Sequence, residues 1–277
     1  MKHIIVIMIF FICSTSSQAE NGKLLATTGA GPIEGGSGGG LIPWALIGGY
    51  TTQDEIGFNA TFSEADVKDY TLSSHGLSLS AYDRVELSFA QLRFENKAGG
   101  IDIKQNVISA KTRLYGDAVY GSWPLFSVGF QHKTLQDKTI ASALGASDTQ
   151  GTDVYLSAAK IWLNGPLNRT ALLNANLRYS KANQLGLLGY GTAANDDAQL
   201  LLELAGAVFI NRRVAVGMEY RQKPDNINGV KEDDWQDLFI AYFPSKSVSL
   251  TLAYLQLGEI AGLKDQDGYY FSLQAAF

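Results

Sequence analysis

The last ten residues, Gly268-Tyr-Tyr-Phe-Ser-Leu-Gln-Ala-Ala-Phe277, put Tyr269, Phe271, Leu273, Ala275 and Phe277 on one parity. Tyr270, Ser272, Gln274 and Ala276 fall on the other. A period of two belongs to a β-strand, whose successive side chains point to opposite faces. Two unlike faces fit an edge strand of a soluble sheet, or a barrel strand with one face in lipid and the other toward a lumen.

The same alternation runs upstream. Val248, Leu250, Leu252 and Tyr254 oppose Ser249, Thr251 and Ala253; Leu238, Ile240 and Tyr242 oppose Asp237 and Ala241. Val214, Val216, Met218 and Tyr220 oppose Ala215, Gly217, Glu219 and Arg221. Leu173, Ala175, Leu177 and Tyr179 oppose Asn174, Asn176, Arg178 and Ser180. Phe126, Val128 and Phe130 oppose Ser127, Gly129, Gln131 and Lys133. Ile108 and Ala110 oppose Ser109 and Lys111, and Val85, Leu87 and Phe89 oppose Glu86, Ser88 and Ala90. Leu200–Ile210 reads as a strand although its composition also suits a helix. Lys160 assigns the even parity of Val154–Leu163 to the inside.

Alternation alone does not separate a barrel from a sandwich; the connections do. Counting back from Phe277, long gaps (259–267, 223–233, 183–197, 135–152) take turns with short ones (244–247, 211–212). Short periplasmic turns and long external loops are the asymmetry of an outer-membrane barrel. The expected fold is all-β: a single antiparallel transmembrane barrel. Thirteen segments are visible, beginning with Pro43–Tyr50 and Ile56–Ser63. Bacterial single-chain barrels have even strand numbers. Adding Lys23–Thr28 gives 14 strands, the expected count; counting the first two segments as one strand plus a loop gives 12, the alternative. The Gly-rich stretch 29–40 is then an external loop or a small plug in the lumen.

The N-terminus sets the compartment. Lys2 precedes a ten-residue apolar run, Ile4–Cys13, and Ser17-Gln18-Ala19 suits signal peptidase cleavage before Glu20. Residues 1–19 are read as a signal peptide and 20–277 as the barrel. Removing Lys2 shifts the net charge from −5 to −6, which offers no basic field for nucleic acid. Cys13 is the only cysteine, so export leaves no disulfide framework and no Cys-based metal site.

Further motifs sharpen this. GKLL (22–25), IEGGSGGGLIPWALIGGY (33–50), YDRVELSFA (82–90), RLYGDAV (113–119), KANQLGLLGYG (181–191), YRQKPDN (220–226), EDD (232–234), DLFIAYFPSK (237–246) and YYFSLQAAF (269–277) span nearly the whole exported chain. On these stretches the chain resembles a Gram-negative outer-membrane family classed as a domain of unknown function. The resemblance implies a barrel and a membrane address, and brings neither catalytic residue nor substrate. The closing strand, with its final Phe277, also resembles the segment read by the barrel assembly machinery.

Candidate chemistry is sparse. His75 follows Ser73-Ser74, but neighbouring strand residues point to opposite faces and make no Ser–His pair. His132 shares the outward parity of Phe130. Asp265-Gln-Asp-Gly268 lacks the rest of a calcium-loop ladder. No catalytic residue, metal site or cofactor is expected. Glu86, Lys111, Arg113, Lys133, Arg178, Glu203, Glu219 and Arg221 are expected to line the lumen, since charge at membrane depth must be paired or wet. Lys223, Asp225, Asn226, Glu232, Asp233 and Asp234, with Asn195-Asp-Asp197, are expected to cluster on external loops facing lipopolysaccharide. The expected function is a passive channel for a small polar solute. The alternatives are a closed structural or docking barrel and, behind it, an enzyme acting on lipid or lipopolysaccharide.

Overall fold

The computed structural model describes residues 29–227 and 231–277. The expected signal peptide and the expected strand Lys23–Thr28 lie outside the described residues. In chain order the β-segments are β1 (Ile56–Val67), β2 (Tyr70–Ala81), β3 (Val85–Asn96), β4 (Asp102–Tyr115), β5 (Leu125–Leu135), β6 (Ala146–Asp148) and β7 (Gln150–Trp162). Then follow β8 (Ala171–Ser180), β9 (Tyr190–Thr192), β10 (Gln199–Asn211), β11 (Val214–Arg221), β12 (Trp235–Ser245), β13 (Val248–Gln256) and β14 (Asp267–Ala276).

Twelve of these form a closed antiparallel barrel; β6 and β9 pair with each other outside it. Closure joins β1 to β14, from Asn59 opposite Ala276 to Val67 opposite Gly268. The chain's end is stitched into this seam, because Phe58 and Phe277 exchange backbone hydrogen bonds. The count is therefore 12, not 14: Pro43–Tyr50, whose apolar and small residues imitate a strand, pairs with no barrel strand. Leu200–Ile210 is strand, within β10.

The burial pattern follows the sequence alternation. Outward residues such as Phe58, Leu77 and Leu238 are 54%, 63% and 67% exposed, while Ser80, Leu92 and Ser127 between strands of the same wall are fully buried. In water such an apolar exterior would be costly; in a bilayer it is solvated. Tyr82, Tyr115, Trp162 and Phe277 ring the rim that carries the C-terminus, and Tyr179, Tyr254 and Tyr269 ring the opposite one. Two aromatic girdles around an apolar band mark the interfaces of a membrane barrel.

The connections at the C-terminal (near) rim span 82–84, 116–124, 163–170, 212–213 and 246–247. Those at the far rim include 136–149, 181–198, 222–234 and 257–266. The far-rim loops carry most of the non-barrel structure, including the short helix α1 (Thr139–Ala143) and the β6–β9 pair. In β7 the odd parity faces inward: Asp153, Tyr155, Ser157, Ala159 and Ile161 are buried. Lys160 misleads because its long stem bends to the near rim, where Nζ donates to the carbonyl oxygens of Gly121 and Asp117.

Candidate functional site

Residues 29–48 run through the lumen rather than along its wall. Ile42 and Ala45 are fully buried, and every residue from Gly29 to Gly48 is buried. A strand offers its backbone groups to neighbouring strands. This segment offers them to itself and to the side chains of the wall. Ala30 N–H donates to Gly38 O at 2.7 Å, Ile33 N–H to Gly40 O at 3.0 Å and Trp44 N–H to Ser37 O at 3.2 Å, folding it into a compact double loop. Gly39 packs against the Glu219 carboxylate, with no room for a Cβ.

Polar wall residues then grip this plug. Glu86 of β3 accepts from Ser37 N–H at 2.9 Å, Ser37 Oγ–H at 2.5 Å and Gly48 N–H at 2.7 Å. Lys111 of β4 donates to the carbonyls of Ser37 and Trp44, each at 3.0 Å, and lies 3.2 Å from Glu86. Asn174 of β8 accepts from Ala45 N–H at 2.9 Å, and Asn176 donates to Pro43 O at 2.7 Å. Ser272 and Thr251 donate to Ala30 O at 2.5 and 3.2 Å, and Tyr270 donates to Gly31 O. Backbone groups taken from water are costly unless satisfied, and the inward polar parity satisfies them.

One plug side chain enters the wall's ion network. Glu34 pairs with Lys133 and, at 2.5 Å, with Arg221. Lys133 also reaches Asp153 at 2.8 Å, Arg178 binds Glu203 at 2.6 Å, and Arg221 lies 3.4 Å from Glu203. Seven of the eight expected lumen residues (Glu86, Lys111, Lys133, Arg178, Glu203, Glu219 and Arg221) are thus buried inside the barrel. Arg113 is not: it sits at the near rim, paired with Asp83 and reaching Gly116 O at 2.8 Å. There β4 is bulged between Arg113 and Tyr115, which ends the strict alternation. The sequence reading missed Glu34 because it lies outside the strands. It missed Asp153 because the parity of β7 was inverted, and Asp237 because that residue was noted on the inward parity without being assigned a role.

The far rim is covered. Residues 182–192 dip into the barrel mouth and are buried. Leu185 O accepts from Lys133 Nζ at 3.2 Å, so the lid touches the same cation that holds the plug. The 222–234 loop folds onto this lid. Gln184 N–H donates to both Glu232 oxygens at 2.9 Å, and Lys223 Nζ donates to Gln184 Oε1 at 2.9 Å. Asn226 donates to Lys181 O at 3.2 Å. The expected solvated cluster is therefore divided: Lys223, Asn226 and Glu232 are buried in the lid, while Asp225 and Asp234 face solvent and Asp233 is half-buried. Burial pushes the Glu232 carboxyl up to about 7 and the Lys223 ammonium down to about 8, each against the attraction of the other.

Between plug and lid lies an apolar layer. Ile33 and Leu41 from the plug, Val67, Leu72, Phe94 and Leu255 from the wall, and Leu187 and Ile260 from the loops enclose a void of about 20 Å³. That is room for about one water molecule. Among the described residues, plug, ion network, apolar layer and lid thus follow one another inside the barrel.

The histidines stand apart from this interior. His75 is exposed on the outer face against the Phe62 ring, 5.2 Å between centroids, while Ser74 points inward. His132 is exposed too, its Nδ1 2.9 Å from Thr152 Oγ1. Both point away from the lumen, and no group of three or more metal-binding side chains occurs among the described residues.

Among solved structures, the chain is similar to the KdgM porin (TM-score 0.48, 12% identity, covering 79% of this chain and 99% of that one). It is similar also to the NanC porin (0.45, 8%, 80% and 99%) and to an outer membrane channel from Pseudomonas putida F1 (0.45, 11%, 82% and 95%). No curated protein matches the sequence. A family match does extend over residues 27–274, from the plug to the closing strand, and the chain belongs to that family, DUF3034, proteins of unknown function.

Proposed function

We propose that this protein is a gated channel of the outer membrane, closed at rest by residues 29–48. The observation that carries the reading is the way the plug is held. It is gripped by hydrogen bonds and ion pairs from wall side chains, and no covalent or strand pairing ties residues 30–47 to the barrel. Polar contacts of this kind exchange for water at modest net cost once a lumen is wet; the apolar side chains the plug buries beside them, Ile33, Leu41, Ile42, Trp44 and Leu46, hold it closed at rest. Emptied of the plug, the wall would present Glu86, Lys111, Asn174, Asn176, Glu203, Glu219 and Arg221 to water, a lining suited to a small polar solute. The outer belt and girdles support the membrane address. The short turns 82–84, 212–213 and 246–247 at the near rim support placing that rim in the periplasm, with lid and long loops outside.

A reversible tether tests the gate. An ideal Cβ on Gly36 lies 3.9 Å from Ser88 Cβ, within the range a disulfide needs, but also 2.9 Å from Glu86 Oε1 at a φ of +79°, so Gly36→Ala is the control for strain on the plug. In a chain with Cys13→Ser, the double variant Gly36→Cys/Ser88→Cys should show current steps in a planar bilayer when reduced and lose them when oxidised. Currents indifferent to oxidation would mean that solute passes elsewhere. Silence in both states would favour the closed docking barrel, the second reading, which the buried plug and the covering lid support.

A further inference from the structure

Charge is not balanced inside the barrel. Among the described residues, six carboxylates are buried in the lumen (Glu34, Glu86, Asp153, Glu203, Glu219 and Asp237) against four cations, Lys111, Lys133, Arg178 and Arg221. The four cations take the first four carboxylates. Lys111 pairs with Glu86, Lys133 with Glu34 and Asp153, Arg178 with Asp153 and Glu203, and Arg221 with Glu34 and Glu203. Glu219 and Asp237 have no cation within ion-pair distance among the described residues.

These two face each other. Glu219 of β11 and Asp237 of β12 are register partners, and Glu219 N–H donates to Asp237 Oδ1 at 3.1 Å. Glu219 Oε2 accepts from Leu41 N–H of the plug at 2.7 Å. The remaining oxygens, Glu219 Oε1 and Asp237 Oδ2, are buried and receive no hydrogen bond. The surroundings offer no neutralising charge. Strand β10 presents Ala205 opposite Glu219, and β13 presents Leu255 opposite Asp237. From β14 comes Tyr270, whose hydroxyl is committed to Gly31 O. The plug brings Gly39, Gly40, Leu41 and Trp44, with the Gly40 N–H and the Trp44 indole N–H facing the Glu219 carboxylate as neutral donors. Arg221, next inward along β11, spends Nη1 on Glu34 and Leu41 O.

We infer that Glu219 and Asp237 form a proton-binding site, one proton shared between two carboxyl groups, that latches the plug. Two ionised carboxylates side by side in a dry site repel with nothing to offset them. One shared proton turns the pair into a short charge-assisted O–H···O⁻ bond and uses the two idle oxygens. The latch acts on the plug directly, since Glu219 holds Leu41 N–H and walls the space beside Gly39. Loss of the proton as pH rises leaves two charges that only entering water can relieve, and water enters by displacing the plug. This role of the proton rests on residues 29–48 being the gate.

Infrared difference spectra of the folded protein between about pH 5 and about pH 9, without divalent cations and in a Glu232→Gln background that removes the lid's own titrating carboxyl, read the proton independently of any current. That background should show a buried protonated-carboxyl band that Glu219→Gln and Asp237→Asn each remove. Planar-bilayer recordings over the same range should show openings that increase with pH in the wild type and lose that dependence in both variants. A background without the band, or a band that survives in both variants, overturns the site. Openings that follow added Ca²⁺ at constant pH and are insensitive to pH overturn the proton in favour of a metal ion. The band present with no current at any pH keeps the proton site and overturns the gate.

Discussion

Glu34 joins plug to wall through two buried cations that meet on its carboxylate. Removing one partner of a buried ion pair leaves the other desolvated and unpaired, at a cost of about 3–5 kcal/mol. Glu34→Ala should lower unfolding stability by about that amount in urea titrations of the folded barrel. A loss under about 1 kcal/mol would mean that Lys133 and Arg221 are held by Asp153 and Glu203 alone. Gly39→Ala acts by shape: its Cβ has no room beside Glu219. It should loosen the plug, seen as faster proteolysis within residues 29–48, while the heat-resistant barrel persists. At this scale the sequence was legible wherever a charge sat on a strand of clean parity, as with Glu86, Lys133 and Arg178. It was not legible for Glu34, whose partners Lys133 and Arg221 are distant in sequence and meet only through topology.

Among elements, the strands were legible because lipid on one side and a filled lumen on the other impose period two on each of them. The count failed at Pro43–Tyr50, where apolar and small residues alternate as they would in a strand. The proline at 43 and the glycine run 38–40 before it were the available signal, since neither suits a central strand. The far-rim lid was read as solvated loops because Lys223, Asn226 and Glu232 are polar. Their burial follows from mutual satisfaction with Gln184 and Lys181. This lid has a pH signature. Glu232, raised by burial from 4.5 to about 7, contributes stability that is full below its ordinary value and is lost as pH rises through about 7. Lys223, lowered from 10.5 to about 8, contributes stability that is full above its ordinary value and is lost as pH falls through about 8. The lid should therefore be loosest between about 7 and about 8 and tighten on either side. Hydrogen exchange at Gln184 and Leu185, corrected for the intrinsic pH dependence of exchange, reads this. A monotonic profile, or one unchanged in Glu232→Gln, would contradict it.

For the whole molecule, the barrel and its apolar exterior were written in the sequence from end to end, and the state of the lumen was not. Inward parity says which side chains point inside; it does not say whether they meet water, each other or another part of the chain. Here they meet residues 29–48, with an apolar layer and a lid above, so an open pore lined by the same residues is replaced by a plugged one. The central claim is that this segment is the gate, and that the lid, whose Leu187 rests on the same apolar layer as Ile33 and Leu41, does not seal the mouth without it. The most direct measurement is single-channel current from the wild type and from a variant lacking residues 29–48. The wild type should be closed most of the time and the deletion variant should conduct steadily, with cation or anion preference altered by Arg221→Glu but not by the rim residue Arg113→Glu. A folded deletion variant that stays silent, or a wild type that conducts as steadily as the deletion, would contradict the account.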